Sequence, residues 1–157
     1  DGKPVAAALF NPVTDQFFEA SLGQGSYLNG VKLFCSERTN LATSKLLASQ
    51  KAFEWHNWLA DAPGAEFDHL NSIAYRIAVV ANQDFDASLS LSAKSDWDIA
   101  AADLILSEAG GISTTTKGAE IIYNREKPIH DTVISSGLAL HDTLMDLLKD
   151  FVPPHLR

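Results

Sequence analysis

The chain has 157 residues and a formal charge of −8 with its histidines neutral. Apolar residues make up 46% and charged residues 20%, the balance of a globular domain that buries its own core. The acidic excess argues against a nucleic-acid polymer as partner, since phosphates need a basic face. The longest apolar runs, residues 5–10 and 77–81, are too short to span a membrane. Cys35 is the single cysteine, which excludes an internal disulfide and suits a reducing, cytoplasmic setting.

Residues 3–10 (KPVAAALF) predict a buried strand, closed by the Asn11-Pro12-Val13-Thr14-Asp15 turn, with 16–21 (QFFEAS) as its partner. Gly23-Gln24-Gly25 breaks the chain before a short strand at 26–28. Asn29-Gly30 then signals a hairpin, because both central residues of a type I′ turn need positive φ. With 31–34 as the return strand, the first 34 residues read as an antiparallel meander.

Beyond this point helical and strand patterns alternate. A strand is expected at 45–49, an amphipathic helix at 52–60 and a second helix at 72–82, with Ser72 as its N-cap. Residues 87–91 alternate as a strand does. The clearest helix is 97–109, ended by Gly110-Gly111. Short strands at 111–114 and 119–123 flank Lys117-Gly118, another falls at 133–136, and a helix at 138–151 is halted by Pro153-Pro154. The sum is an α/β (α+β layered) unit over 1–151 with a tail at 152–157.

The chemistry gathers at Ser95-Asp96-Trp97-Asp98-Ile99-Ala100-Ala101-Ala102. Asp96 precedes the helix and Asp98 falls in its first turn, where unpaired N–H groups and a positive dipole end favour carboxylates. Two readings stand: both acids cap the helix, or Asp98 binds a hard cation such as Mg²⁺, which takes oxygen ligands. Spacing does not separate them. Asp103, about 140° further around the helix, is expected to be solvated or to support the site from behind. None of the five histidines stands in a zinc-binding pair, so each reads as surface or satisfied core. Gly23 and Gly25 open a G-x-G whose third position is Leu28, hence a turn. Trp55, Trp58 and Trp97 read as packing residues. Lys94 is placed to meet a phosphate, with simple solvent exposure as the alternative.

Residues 95–111 (SDWDIAAADLILSEAGG) closely resemble the C-terminal signature of the inositol monophosphatase family, W-D-x-A-A-x-x-x-x-x-x-E-A-G-G. The Asn-Pro turn and Gly-x-Gly…Asn-Gly hairpin of 2–30 resemble its earlier part, as do 72–82 with Asp86-Ala87. The likeness therefore runs to about Asp150. It implies a sandwich of helices and sheets, the C-terminal part of the inositol monophosphatase and fructose-1,6-bisphosphatase-like sugar phosphatase fold. It also implies a Mg²⁺-dependent, lithium-sensitive phosphomonoesterase, in which metals activate a water for in-line attack on phosphorus. Asp98 matches the family's metal-binding aspartate.

Ser72 falls in the pair whose backbone approaches substrate in that family, here Asn71-Ser72. The inositol-contacting glutamate falls near Leu91 or Ser92, neither a carboxylate. The loop 92–96 (SAKSD) instead resembles the lysine-bearing loop of 3′(2′),5′-bisphosphate nucleotidases, where Lys94 would attract a second substrate phosphate. The implied partner is a small phosphorylated substrate: a nucleotide bisphosphate first, an inositol phosphate second, fructose-1,6-bisphosphate third. A homodimer stays open, and no membrane is implied. The family's Glu-Glu and Asp-Pro-x-Asp-Gly-Thr metal motifs do not occur in this sequence. With Asp1 in place of methionine, the chain is expected to be the C-terminal part of a longer phosphatase and inactive by itself. The reading from another class is a non-catalytic remnant that folds as a binding or dimerisation module.

Overall fold

In the computed structural model, which describes residues 2–153, the opening meander forms as its turns require. β1 (Ala6–Asn11), β2 (Gln16–Ser21), β3 (Gly25–Leu28) and β4 (Val31–Lys32) pair in chain order, each antiparallel to the next. Asn29 and Gly30 carry φ of 49° and 80°, both positive as the two-residue turn demands. The Asn29 side chain ties this turn to the previous one: its Oδ1 accepts the Phe17 N–H (2.8 Å) and its Nδ2 donates to the Asp15 carbonyl (2.9 Å). The return strand is shorter than expected. After Lys32 the chain leaves the sheet, and the Cys35 N–H donates to the Ala109 carbonyl instead of a strand.

A second, five-stranded sheet holds β5 (Lys45–Leu47), β6 (Glu66–Asp68), β7 (Ala87–Ser90), β9 (Gly111–Thr114) and β11 (Val133–Gly137) in the order β6-β5-β7-β11-β9. β5 runs parallel to β6 and β7, while β11 is antiparallel to β7 and β9. Two residues each, β8 (Lys94–Ser95) and β10 (Ile129–His130), make a small antiparallel ribbon.

Between the two large sheets lie α2 (Ile73–Ala81) and α3 (Asp96–Glu108), packed on each other. α3 rests on β1, β2, β3 and β9, and α2 on β7 and β11. The far face of the five-stranded sheet is covered by α1 (Gln50–Trp55) and α4 (Leu138–Leu148). Adjacent strand residues point to opposite layers, as the pleat dictates. Leu47 and Val133 join the core around α2 and α3, whereas Leu46 and Ile134 join the core around α1 and α4. Ile105 and Leu106, fully buried on α3, each contribute about 2–3 kcal/mol by leaving water.

The first strand, expected to be buried, instead alternates exposed and half-buried residues along the outer sheet, and three further elements are corrected. The helix at 52–60 breaks: α1 ends at Trp55, Asn57 turns left-handed (φ 59°), and a 3₁₀ turn Trp58–Ala60 follows. The break lets Trp58 stack on His56 and pack against Phe53 and Phe151. Residues 119–123 make only a single bridge, Thr114 to Glu120, because Ile121 and Tyr123 turn into the core. The last helix stops at Leu148, and Phe151 folds back with its N–H on the Leu148 carbonyl (2.9 Å). Pro154 lies outside the described residues.

Candidate functional site

β8 pairs with β10 and delivers the chain directly into the first turn of α3, where the two acids part company. Asp96 is buried and turns inward. Its Oδ1 lies 2.8 Å from His130 Nε2, and its Oδ2 accepts the Asn124 N–H at 2.7 Å. An Arg125 Nη2 lies 3.2 Å from His130 Nδ1. Arginine only donates, so Nδ1 is the acceptor and Nε2 carries the proton given to Asp96. Both Asp96 oxygens are therefore engaged.

Asp98 faces the other way and is half-buried. Its Oδ2 accepts the Ser95 N–H at 3.0 Å, reaching back to close the helix end. Oδ1 forms no hydrogen bond among the described residues. The capping and ligand readings thus share one carboxylate: one oxygen closes the helix, and the other remains available to a hard cation. No group of three or more His, Cys, Asp or Glu side chains suited to a metal occurs among the described residues. Asp98 stands there as a lone carboxylate, not as part of a cluster of acidic or histidine side chains.

Lys94 is half-buried, with Nζ folded back on its own loop toward the Ser92 carbonyl (3.1 Å), Ser92 Oγ (2.9 Å) and the Ala93 carbonyl (3.0 Å). Burial and the neighbouring Arg76 charge push its ammonium pKa down, against the pull of Asp98. Ser72 caps α2, its Oγ accepting the Tyr75 N–H at 3.3 Å. Its neighbours Asn71 and Ile73, not Ser72, line a cleft of about 390 Å³ that Lys94 and Arg76 share.

Further along α3, Asp103 is not the solvated acid the spacing allows. The Tyr123 hydroxyl donates to its Oδ2 at 2.7 Å, and burial pushes its carboxyl pKa up while that bond opposes the rise. Glu108 closes the helix by gripping the first sheet: its two oxygens accept the N–H groups of Gly23 and Gly25, each at 2.7 Å. These bonds hold its carboxyl below the usual carboxylate range. Gly23 and Gly25 sit at φ of 75° and 83°, so both N–H groups converge as a small anion nest.

The profile of the inositol monophosphatase family matches residues 1–150. The chain belongs to the inositol monophosphatase family. It is similar to inositol monophosphatase 2 of Solanum lycopersicum, 28% identical over 94% of this chain and 57% of that protein. Nus factor SuhB of Escherichia coli strain K12 is 30% identical over 94% of this chain and 59% of its own length. The fold also matches the staphylococcal enzyme SaIMPase-II, in both its inositol monophosphate-bound and 2′AMP-bound forms. Each form gives a TM-score of 0.78 at 22% identity, over 99% of this chain and 59% of that one. The chain therefore spans under two thirds of the length of these relatives.

In this member of the inositol monophosphatase family, the glutamate and both glycines of the E-A-G-G ending each have a physical task. Glu108 clamps the hairpin, Gly110 (φ 86°) ends α3 in the left-handed region, and Gly111 packs closely. A Cβ on Gly111 would stand 2.6 Å from Leu106 Cδ1 and 2.8 Å from Cys35 Sγ. Cys35 itself is free and buried, and burial pushes its thiol up to about 12, which makes it inert.

Among the histidines, His130 and His141 are satisfied core residues. His141 sits between Ser136 Oγ (2.9 Å) and Thr114 Oγ1 (3.0 Å). His69 lines the cleft, and His155 lies outside the described residues. Of the tryptophans, Trp58 packs as expected, whereas Trp55 and Trp97 are 83% and 76% exposed. Trp97 points away from the core because Asp96 and Ile99 occupy the buried side of that turn. No helix among the described residues is long and apolar enough to cross a membrane. The sequence reading missed Arg76. Its signal is a charge three residues after Ile73 and one before Ile77, on the edge of the apolar stripe of α2.

Proposed function

We propose that this chain is part of a Mg²⁺-dependent, lithium-sensitive phosphomonoesterase whose preferred substrate is a 3′(2′),5′-bisphosphate nucleotide. The observation that supports this is one adjacency at the start of α3. Among the described residues, Asp98 keeps a carboxylate oxygen without a hydrogen bond there, and Lys94, four residues earlier, carries an ammonium bonded to no carboxylate. Asp98 is the residue of this chain that would hold the cation. The chemistry Mg²⁺ supplies when bound is activation of a water and stabilisation of the leaving oxygen.

The chain's own residues contribute positioning. The Ser95 N–H fixes the Asp98 carboxylate by one oxygen, and the Asp96–His130 pair anchors the same helical turn from beneath. The N-terminal N–H groups of α3 favour an anion at that end. Lys94 attracts a further phosphate, and Leu91 and Ser92 present no carboxylate to an inositol hydroxyl. SaIMPase-II, seen with both inositol monophosphate and 2′AMP, supports a fold able to take either class.

The test is Mg²⁺-dependent phosphate release by the full-length gene product from adenosine 3′,5′-bisphosphate, inositol 1-phosphate and fructose 1,6-bisphosphate. The proposal expects kcat/KM highest for the nucleotide by roughly tenfold or more, the worth of one well-placed charge contact. A preference for inositol 1-phosphate would overturn the substrate, and no release from any of them would overturn the enzyme reading.

A further inference from the structure

A cleft of about 460 Å³ opens between the second half of α3, β9 and the segment 118–123. Pro4, Leu22, Leu104, Ile112 and Ile121 give it apolar walls, and Asp103 lies among them. Asp103 stands about 140° around the helix from Asp98. No lining residue belongs to the first turn of α3 or to the cleft that Lys94 and Arg76 share. A concave, largely apolar space of this size with a convergent polar group has the form of a small-molecule site.

Charge selects the ligand. Asp103 accepts the Tyr123 hydroxyl on Oδ2 at 2.7 Å, yet no ion pair joins it to a cationic side chain among the described residues. Lys3, the cation among the lining residues, is bonded to Glu120 (2.8 Å), and both of those side chains are exposed. Two carboxylates and one ammonium thus leave the cleft with one negative charge in excess. Burial is the largest effect on the Asp103 carboxyl and pushes its pKa up; the Tyr123 and Ser113 hydroxyls and the His130 ring offset this only in part, and the Glu120 charge adds to it. A cation beside Asp103 would replace the lost hydration and screen it from Glu120. A carboxylate has about four acceptor sites, so the Tyr123 bond leaves room for an ammonium donor. The apolar walls suit a hydrocarbon body and not a hydrated inorganic ion.

We infer that this cleft binds a small organic amine, with its ammonium on the Asp103 carboxylate and its apolar body against Leu22, Ile112 and Ile121. The Tyr123 hydroxyl acts by fixing the carboxylate through Oδ2. Asp98 and Lys94 take no part, so the site stands apart from the phosphatase reading.

Phenethylamine is the probe, titrated into the intact protein without divalent metal while the isoleucine methyl resonances are followed by NMR. The Ile112 and Ile121 signals are expected to shift in a saturable way, while Ile134, in the core around α1 and α4, stays put. 2-Phenylethanol has the same shape without the charge and should bind about tenfold more weakly, the worth of one charge-assisted hydrogen bond. D103N keeps an acceptor for the Tyr123 hydroxyl and should erase the difference between amine and alcohol. Ser107→Phe, at an exposed lining position, should weaken both probes together, so the test survives if D103N fails to fold. Ile112 and Ile121 signals unmoved by phenethylamine would overturn the site. Equal affinity for amine and alcohol in the wild-type protein, or an undiminished preference in D103N, would overturn the pairing of Asp103 with an ammonium. No phosphate release is measured, so a failed cleft and a failed phosphatase reading give different results.

Discussion

Asp96 Oδ1 lies 2.8 Å from His130 Nε2, and this contact decides which acid of the Asp-Trp-Asp run can act outward. With Asp96 bound by His130 and the Asn124 N–H, the outward role falls to Asp98. The pair is also an anchor for the loop before β11. Replacing His130 by alanine would leave a buried carboxylate without its main partner, at a cost of about 3 kcal/mol. The expected fall in melting temperature is roughly 6–12 °C, read by thermal denaturation. A variant that melts with the wild type would show that the pair holds nothing in place.

Glu108 offers a separate test. Its bonds to Gly23 and Gly25 join α3 to a turn 83–85 residues away in sequence. Glu108→Gln keeps the shape but loses the charge and one acceptor. Allowing for partial exposure, it should destabilise the fold by about 1 kcal/mol. Hydrogen exchange at the Gly23 and Gly25 amides should rise with it, and unchanged protection there would count against the clamp.

The pH response has a definite sign. Glu108 is held below its ordinary value of 4.5, so its contribution is full above that pH and is lost as pH falls through the folded value. His141, buried, is held below 6.5, so under acid the unfolded chain takes up that proton more readily than the folded one. Both groups make stability decline on acidification, His141 beginning just below pH 6.5 and Glu108 following. Denaturant titrations from pH 7 to pH 5 should show the decline, and His141→Gln should flatten it over that range. A slope that persists unchanged in the variant would place the proton elsewhere.

Gly137, the N-cap of α4, makes a steric prediction. A Cβ there would collide with the Ser36 carbonyl, which is backbone and cannot step aside. Gly30 carries positive φ but has open space around its Cβ position. Gly137→Ala should therefore cost about 2 kcal/mol or more through overpacking, and Gly30→Ala about 1 kcal/mol through backbone strain alone. Equal melting temperatures would contradict the assignment.

Much of the fold could be read from residues because local chemistry and final structure agree at those points. Asn29-Gly30 demands one turn type, Ser72 caps α2, and Gly110 ends α3. The failures have physical causes too. β8 and β10 are two residues each, too short to show a period, and they exist only because distant segments meet. The broken helix after Trp55 follows from Trp58 seeking Phe53 and Phe151, a tertiary preference invisible in local pattern. At the site, the spacing of Asp96 and Asp98 did not show which acid turns inward; the position of His130, 34 residues from Asp96, does. Arg76 escaped notice because a lone arginine on a helix normally reaches solvent.

The most direct measurement is Mg²⁺-dependent phosphate release from adenosine 3′,5′-bisphosphate by the full-length protein and its Asp98→Asn variant. Asparagine retains an oxygen to accept the Ser95 N–H, so the helix end should survive and melting should change little. The account predicts a fall in turnover of about 100-fold or more, since a charged ligand to the activating cation is lost. Wild-type turnover in that variant would show that Asp98 binds no metal, and the proposed mechanism would fall with it.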